Sequence, residues 1–139
     1  MKPTPYENCA GQILHLDDER AVREAIALLL RTEGYAVHSA ASPGEAVALA
    51  RQGMDPDVLI VDFHLDEQMN GAEVAEQIRR ILPHTPPIII LTGDLTAVVV
   101  PRNTDAPVWL TRKPMDPQRL LAALPGLIQV SRATRALAA

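Results

Sequence analysis

Five polar side chains that can do chemistry together each follow a short apolar run: Asp17, Asp18, Asp62, Thr92 and Lys113. Three carboxylates at close range repel one another unless a cation neutralises them. Oxygen ligands of this kind suit Mg²⁺, which typically takes one or two carboxylates together with phosphate oxygens. With the metal bound, Asp62 can attack phosphorus as a carboxylate nucleophile and form an aspartyl phosphate. The metal, Lys113 and the Thr92 hydroxyl can then stabilise the phosphoryl oxygens in the transition state.

These side chains meet only if the chain folds as alternating strands and helices, and its apolar runs predict that alternation. The runs lie at residues 13–16, 36–40, 58–61, 88–91 and 108–110, and each gap between them is long enough for a helix. Parallel strands need such crossovers, and strands covered on both faces are apolar nearly throughout. Right-handed crossovers place the loops after the strands along one edge of the sheet, where ligands bind. The sequence therefore predicts an α/β fold with a five-stranded parallel sheet whose carboxyl edge carries the five side chains.

Capping residues, glycines and prolines predict where the helices begin and end. An apolar face at helical spacing predicts a first helix that Gly34 closes. Ser42 and Asn70 mark the starts of the second and third helices. Three valines at 98–100, followed at once by a proline, leave room for only a turn or two of a fourth helix. The final helix opens at 116–117, and the Pro-Gly pair that follows Leu124 is predicted to interrupt it before a short terminal helix.

Length and composition exclude several function classes. The chain has 139 residues, 47% of them apolar and 22% charged, which suits a single globular domain. A net charge of −4 gives no bulk attraction to nucleic acid or to an anionic membrane. The apolar runs are far shorter than the roughly 20 residues that cross a bilayer. The N-terminus lacks the apolar stretch of a signal peptide, and the single Cys9 cannot form an internal disulfide, so we expect a cytoplasmic protein.

Five sequence motifs stand in order along the chain. They are ILHLDDE at 13–19, VLIVD at 58–62, MNGAE at 69–73, LTG at 91–93 and KP at 113–114. Together they resemble the receiver domain of two-component response regulators, over residues 13–124. Residues 1–12 and 125–139 are then an N-terminal and a C-terminal extension. The resemblance implies a flavodoxin-like, doubly wound fold with strand order 2-1-3-4-5.

The resemblance also implies a role for each polar residue around the metal. Asp62 is implied to be the phosphoacceptor, and Asp18 and Asp62 to bind Mg²⁺ directly. Asp17 is implied to act on the metal largely through water, and the carbonyl of His64 to complete the protein ligands. The imidazole of His64 is a candidate for tuning the phosphate lifetime, either by ordering the attacking water or by holding a phosphate oxygen.

The function implied by the resemblance is a signalling switch rather than an enzyme. A histidine kinase or a histidine phosphotransfer protein would donate the phosphoryl group to Asp62, with Thr92 and Lys113 contacting it. Slow autodephosphorylation would reset the switch, and the phosphorylated surface would bind a downstream protein or a second copy of the chain. Residues 125–139 are too few for a DNA-binding output domain, so direct DNA binding is not expected.

Two departures from the family pattern keep other functions open. Leu110 stands where the family usually has an aromatic switch residue, with Trp109 beside it, and the loop at 65–68 is unusually acidic. Leu110 and the poorly formed fourth helix allow a binding module of the same fold that works without phosphorylation. A third alternative is a Mg²⁺-dependent phosphatase, which typically needs an acidic residue where His64 stands.

Other polar residues have plain structural interpretations. Asp17 and its neighbour can cap the first helix. His15 is predicted to be a core histidine with satisfied nitrogens, and His84 a loop residue that belongs to no metal site. The arginines at 119, 132 and 135 are most simply a solvated helical face.

Overall fold

The core of the fold is one five-stranded parallel sheet. A computed structural model describes residues 10–65, 69–97 and 107–138. Its strands are β1 (Gln12–Leu16), β2 (Ala36–Ala40), β3 (Val58–Asp62), β4 (Ile88–Thr92) and β5 (Val108–Arg112). The strands lie in the order β2-β1-β3-β4-β5, and every neighbouring pair is parallel. The predicted α/β, flavodoxin-like fold and its strand order are confirmed.

Four α-helices connect or follow the strands. They are α1 (Arg20–Thr32), α2 (Pro43–Arg51), α3 (Gly71–Ile81) and α4 (Pro117–Ala138). The predicted caps are confirmed at two of them: Ser42 Oγ accepts the Glu45 amide at 3.2 Å, and Asn70 Oδ1 accepts the Glu73 amide at 2.9 Å. Gly34, just past α1, has a φ of 91°, at which the backbone of any residue with a side chain would be strained. Local sequence therefore sets where α2 and α3 begin, at the carboxyl edge of the sheet, and where α1 ends, at the amino edge.

The C-terminal helix departs from the prediction. The interruption expected at Pro125 is wrong, because α4 runs unbroken from Pro117 to Ala138. Proline removes one helical hydrogen bond, but Leu124 before it and Ile128 after it are both buried against the sheet. Tertiary packing on both sides of the proline holds the helix together. Between β4 and β5 the structure describes one 3₁₀ turn, Leu95–Ala97, and the valines at 98–100 lie outside the described residues.

Helices cover both faces of the sheet with aliphatic side chains. One core cluster joins α2 and α3 to residues such as Leu59 and Ile90, and a second joins α1 and α4 to residues such as Ile60 and Ile89. His15 is fully buried in β1, but neither ring nitrogen has a hydrogen-bond partner among the described residues. The expectation of satisfied nitrogens was therefore wrong, and burial lowers the pKa of His15 to about 4. None of the helices in the described ranges is long and apolar enough to span a bilayer.

The interpretation of the basic residues on α4 was partly wrong. Arg119 is exposed, as a solvated face requires. Arg135 instead reaches Asp57, with its Nη1 2.6 Å from Oδ1, and Arg132 lies 3.9 Å from the same oxygen. His84 lies in the loop between α3 and β4, as predicted, and is buried in this second polar cluster. The cluster lies at the amino edge of the sheet, opposite the predicted site.

Candidate metal and phosphoryl site

The carboxyl edge of the sheet brings the three predicted aspartates together. Asp17 and Asp18 follow β1, and Asp62 is the last residue of β3. β1 and β3 are hydrogen-bonded neighbours with Leu16 paired to Val61, so the residues after them emerge side by side. One carboxylate oxygen from each aspartate lies within 4.8 Å of the others. This spacing lets a single small cation contact all three carboxylates.

Asp62 is almost fully buried and is held by two donors. Its Oδ1 lies 2.7 Å from Lys113 Nζ and accepts the backbone amide of His64 at 3.1 Å. Lys113 is placed by the sheet, because its own amide donates to the Thr92 carbonyl at 2.8 Å, which extends the β4–β5 ladder. Both of these donors contact the same oxygen, Oδ1. The carboxylate is thus held in orientation through one of its two oxygens.

Asp17 carries a buried oxygen that lacks a partner. Its Oδ1 accepts the Glu19 amide at 2.9 Å, so the capping interpretation holds for this oxygen. Its Oδ2 is buried and has no hydrogen-bond partner in the described part of the chain. Burial raises the pKa of Asp17, and the negative charge of Asp62 raises it further. An orphaned carboxylate oxygen beside two other carboxylates is the environment that a divalent cation satisfies.

Two residues that the sequence did not single out hold the backbone of the site. Arg23, on α1, donates from Nη1 to the carbonyl of Asp17 at 3.0 Å and so braces the aspartate turn. Gly71 begins α3 directly against β3, where its amide donates to the Phe63 carbonyl at 2.8 Å. A Cβ at Gly71 would overlap the Asp62 carbonyl and lie 2.9 Å from Phe63 Cα. The glycine in the MNGAE motif was the available signal, since only glycine permits this approach.

Thr92 and His64 lie close to each other at the same edge of the sheet. The buried Thr92 hydroxyl donates to the Asp94 carbonyl at 3.0 Å and accepts the Asp94 amide at 3.1 Å. His64 Nε2 lies 3.4 Å from the same hydroxyl. Among the described residues, no hydrogen bond joins Thr92 to Asp62. Both of these hydrogen bonds therefore join the Thr92 hydroxyl to the loop after β4.

The charges described at this edge do not balance. Within the described ranges, three carboxylates face Lys113, and Arg23 donates to the Asp17 carbonyl rather than to a carboxylate. Such a site can hold a divalent cation and can present one carboxylate oxygen to an electrophilic phosphorus. The arrangement suits phosphoryl acceptance, and the predicted aspartates and Lys113 lie together in it.

Comparisons with known proteins agree with this geometry. The model of the response regulator receiver domain family matches residues 13–125. The transcriptional regulatory protein TrcR of Mycobacterium tuberculosis is 29% identical over 120 residues, which cover 86% of this chain and 46% of TrcR. The chain therefore spans less than half the length of that relative.

Solved structures of receiver domains share the fold closely. The N-terminal domain of a response regulator/sensory box/GGDEF protein from Carboxydothermus hydrogenoformans superposes with a TM-score of 0.75 at 27% identity, covering 88% of this chain and 97% of that one. The receiver domain of the hybrid histidine kinase CckA gives a TM-score of 0.70 at 30% identity, covering 86% and 100%. The acidic triad at the carboxyl edge and the family match over most of the sequence lead to one conclusion: the chain belongs to the response regulator receiver domain family.

Proposed function

We propose that the chain is a phosphoacceptor switch of a two-component system that takes a phosphoryl group onto Asp62 in a Mg²⁺-dependent reaction. Receiver domains are regulatory phosphoacceptor modules rather than turnover enzymes. The observation that carries the proposal is the Asp62 carboxylate, buried beside two other aspartates with one oxygen held 2.7 Å from Lys113 Nζ. No other described carboxylate is placed within such an unbalanced cluster.

The metal ligands we propose are the carboxylates of Asp17, Asp18 and Asp62 and the carbonyl of His64. The partnerless Oδ2 of Asp17 supports this assignment, because a cation would satisfy it. When bound, Mg²⁺ supplies positive charge that lets the three carboxylates coexist and offsets charge on the phosphoryl oxygens.

The transfer step we propose uses the second carboxylate oxygen of Asp62, Oδ2. Oδ2 attacks phosphorus while the bond from phosphorus to the donor's leaving atom breaks and its electron pair stays on that atom. For a phosphohistidine donor, the leaving atom is the imidazole nitrogen. Lys113, already in contact with Oδ1, is close enough to move onto a phosphoryl oxygen as charge develops there.

Thr92 would connect the new phosphate to the surface. Its hydroxyl bonds both the amide and the carbonyl of Asp94, so turning it toward a phosphoryl oxygen would break both bonds. The loop that contains the 3₁₀ turn Leu95–Ala97 would then lose these two hydrogen bonds to the last residue of β4. We propose this exchange as the first movement of the switch.

Chemical mapping tests the phosphoacceptor directly. The protein is incubated with acetyl phosphate and Mg²⁺ and then treated with borohydride, which reduces an aspartyl phosphate to homoserine. Peptide mass spectrometry should find homoserine at position 62 and at no other aspartate. Homoserine at another position, or its formation in the presence of a chelator, would contradict the proposal.

An apolar groove beside the site supports a protein phosphodonor, which we propose to be a histidine kinase or a histidine phosphotransfer protein. The groove has a volume of about 650 Å³ and lies between α1 and the chain that follows Lys113. Its apolar lining includes Val22, Ala25, Leu29 and Pro114. A helix packed there would bring its own side chains next to Lys113 and Asp62.

The groove can be tested separately from the chemistry. Ala25→Glu places a charge in the groove, whereas Leu28→Glu places the same charge at an exposed position of α1 that does not line the groove. Transfer from the kinase found by phosphotransfer profiling should fall about tenfold or more in Ala25→Glu and stay unchanged in Leu28→Glu. Uptake from acetyl phosphate should be the same in both variants. Equal loss of kinase transfer in the two variants would show that the donor does not use the groove.

A binding module that works without phosphorylation is the second candidate. The observation that favours it is Leu110, which lies partly exposed on β5 where the family usually carries an aromatic switch residue. Under this alternative, Asp62→Asn would leave all partner binding intact. Under our proposal, the same substitution abolishes the phosphate-dependent share of partner binding.

A further inference from the structure

A second cluster of charged groups ties α4 to the amino edge of the sheet. We call it the amino-edge latch and define it as Asp55, Asp57, His84, Ser131 and Arg135. Arg135 Nη1 donates to Asp57 Oδ1 at 2.6 Å, and Nη2 donates to the carbonyls of Asp55 and Pro56 at 3.0 and 3.1 Å. One guanidinium thus closes a loop of about 80 residues between β3 and the end of α4.

His84 lies inside the latch, between two elements. Its Nδ1 is 2.6 Å from Asp55 Oδ1, and its Nε2 is 3.3 Å from Ser131 Oγ. Arg135 Nε lies 3.5 Å from the same Nδ1. The Asp-His-Ser order resembles a nucleophile triad, but Ser131 is fully buried, so a substrate cannot reach its hydroxyl. His84 therefore links Asp55, which precedes β3, to Ser131 on α4.

Close packing beside the latch shows that the terminal half of α4 is part of the domain. Ile128 lies over Gly11 at the start of β1, and a Cβ on that glycine would come within 2.7 Å of Ile128 Cδ1. Asp57 joins the same contact, because its Oδ2 accepts the Gln12 amide at 2.8 Å. Residues 125–138 are therefore held by both apolar contacts and the latch.

We propose that the amino-edge latch is pH-responsive: it holds the C-terminal half of α4 on the sheet while His84 is neutral and loosens when the imidazole takes up a proton. In the part of the chain that the structure describes, the charged groups that face the imidazole are Asp55, Asp57 and Arg135. Arg132 is farther out, 3.9 Å from Asp57 Oδ1. A second cation inside the latch would repel the Arg135 guanidinium and compete with it for the two carboxylates.

The balance of these groups favours the neutral ring. Burial lowers the pKa of His84, and Arg135 lowers it further, while Asp55 and Asp57 act in the opposite direction. A histidine whose pKa is lower in the latched state stabilises that state fully above its ordinary pKa. The stabilisation is lost as the pH falls below that value, so acid favours release.

Hydrogen exchange on the full chain tests the proposal. Exchange is measured at about pH 7.5 and about pH 5.5, on either side of the ordinary imidazole pKa, and is corrected for intrinsic rates. Amides of α2 serve as the internal reference. In the wild type, opening of residues 127–138 should increase several-fold at the lower pH relative to α2. In His84→Gln, which keeps a polar side chain without a titrating ring, that increase should disappear.

Two further variants distinguish the latch from general acid sensitivity. Arg135→Gln should open residues 127–138 at both pH values, and Arg119→Gln, on the exposed part of the same helix, should behave as the wild type. Equal protection of residues 127–138 at both pH values in the wild type would overturn the proposal. So would a pH-dependent opening of the same size in His84→Gln.

Discussion

The two edges of the sheet use charged residues in opposite ways. At the carboxyl edge three aspartates face Lys113, and Oδ2 of Asp17 is buried without a partner among the described residues. At the amino edge Asp57 is bonded on both oxygens, by the Gln12 amide and by Arg135. Buried charge is costly unless it is paired. The paired charges at the amino edge therefore stabilise the fold, and we propose that the unpaired carboxylates at the carboxyl edge bind a metal ion and accept a phosphoryl group.

Substitutions at the two edges should lower the free energy of unfolding by different amounts, and the largest decrease is expected at the amino-edge latch. Arg135→Ala leaves Asp57 buried with a weakened counter-charge, so the free energy of unfolding should fall by about 3 kcal/mol. Arg119→Ala, on the exposed face of the same helix, should change it by less than about 0.5 kcal/mol. Urea unfolding measures both. Phosphate uptake by folded Arg135→Ala should be unchanged, and loss of that uptake would contradict the division between the edges.

Each edge contains one tightly packed glycine, and substitution of the two by alanine should have different effects on stability and on phosphate uptake. At Gly71 the obstacle is the backbone of Asp62 and Phe63, which cannot move without moving the site. Gly71→Ala should therefore cost about 2 kcal/mol and also slow phosphate uptake. At Gly11 the nearest atom is the flexible end of the Ile128 side chain, so Gly11→Ala should cost less and leave uptake intact. A normal uptake rate in Gly71→Ala would refute the claim that this glycine positions Asp62.

Neutralising one carboxylate at the carboxyl edge should stabilise the metal-free protein. Burial and the charge of Asp62 raise the pKa of Asp17, so its ionised form weakens the fold at neutral pH. Asp17→Asn should raise Tm by about 4 °C, equivalent to about 1 kcal/mol, in the presence of a chelator. The difference should shrink as the pH falls through the raised pKa. Added Mg²⁺ should stabilise the wild type more than the variant, and equal stabilisation would argue against Asp17 in the metal site.

The smallest expected effect concerns His64. Its Nε2 lies 3.4 Å from the Thr92 hydroxyl, on the side where we propose that the phosphoryl group binds. Of the two roles considered for this imidazole, the position favours holding a phosphate oxygen over ordering water. His64→Ala should therefore shorten the lifetime of the Asp62 phosphate about threefold, the equivalent of one weak hydrogen bond. The rate is followed by loss of the phosphorylated mass, and a longer lifetime would indicate the water-ordering role.

The carboxyl edge was predictable from the sequence because each of its residues follows an apolar run. The runs before Asp17 and Asp62 identify parallel strands, and parallel strands bring their carboxyl ends together. Hydroxyl and amide caps at Ser42 and Asn70 likewise act within a few residues, so their signals are local. Such signals can be recognised from the sequence alone.

The amino edge was not predictable because its contacts join distant residues with no shared pattern. Arg135 looks like a solvated helical arginine until the fold places it beside Asp57. The unbroken course of α4 through Pro125 depends on burial of its neighbours, which overrides the local proline signal. The unsatisfied nitrogens of His15 also depend on what the surrounding strands and helices provide. These features are properties of packing rather than of local sequence.

The most direct test exchanges the two buried aspartates of the comparison for asparagine. Wild type, Asp62→Asn and Asp57→Asn are incubated with acetyl phosphate and Mg²⁺, and the intact mass of each folded protein is measured. We predict that wild type and Asp57→Asn each gain one phosphoryl group, that Asp62→Asn gains none, and that a chelator abolishes the gain. Phosphorylation of Asp62→Asn to the level of the wild type would contradict the assignment of Asp62 as the phosphoacceptor.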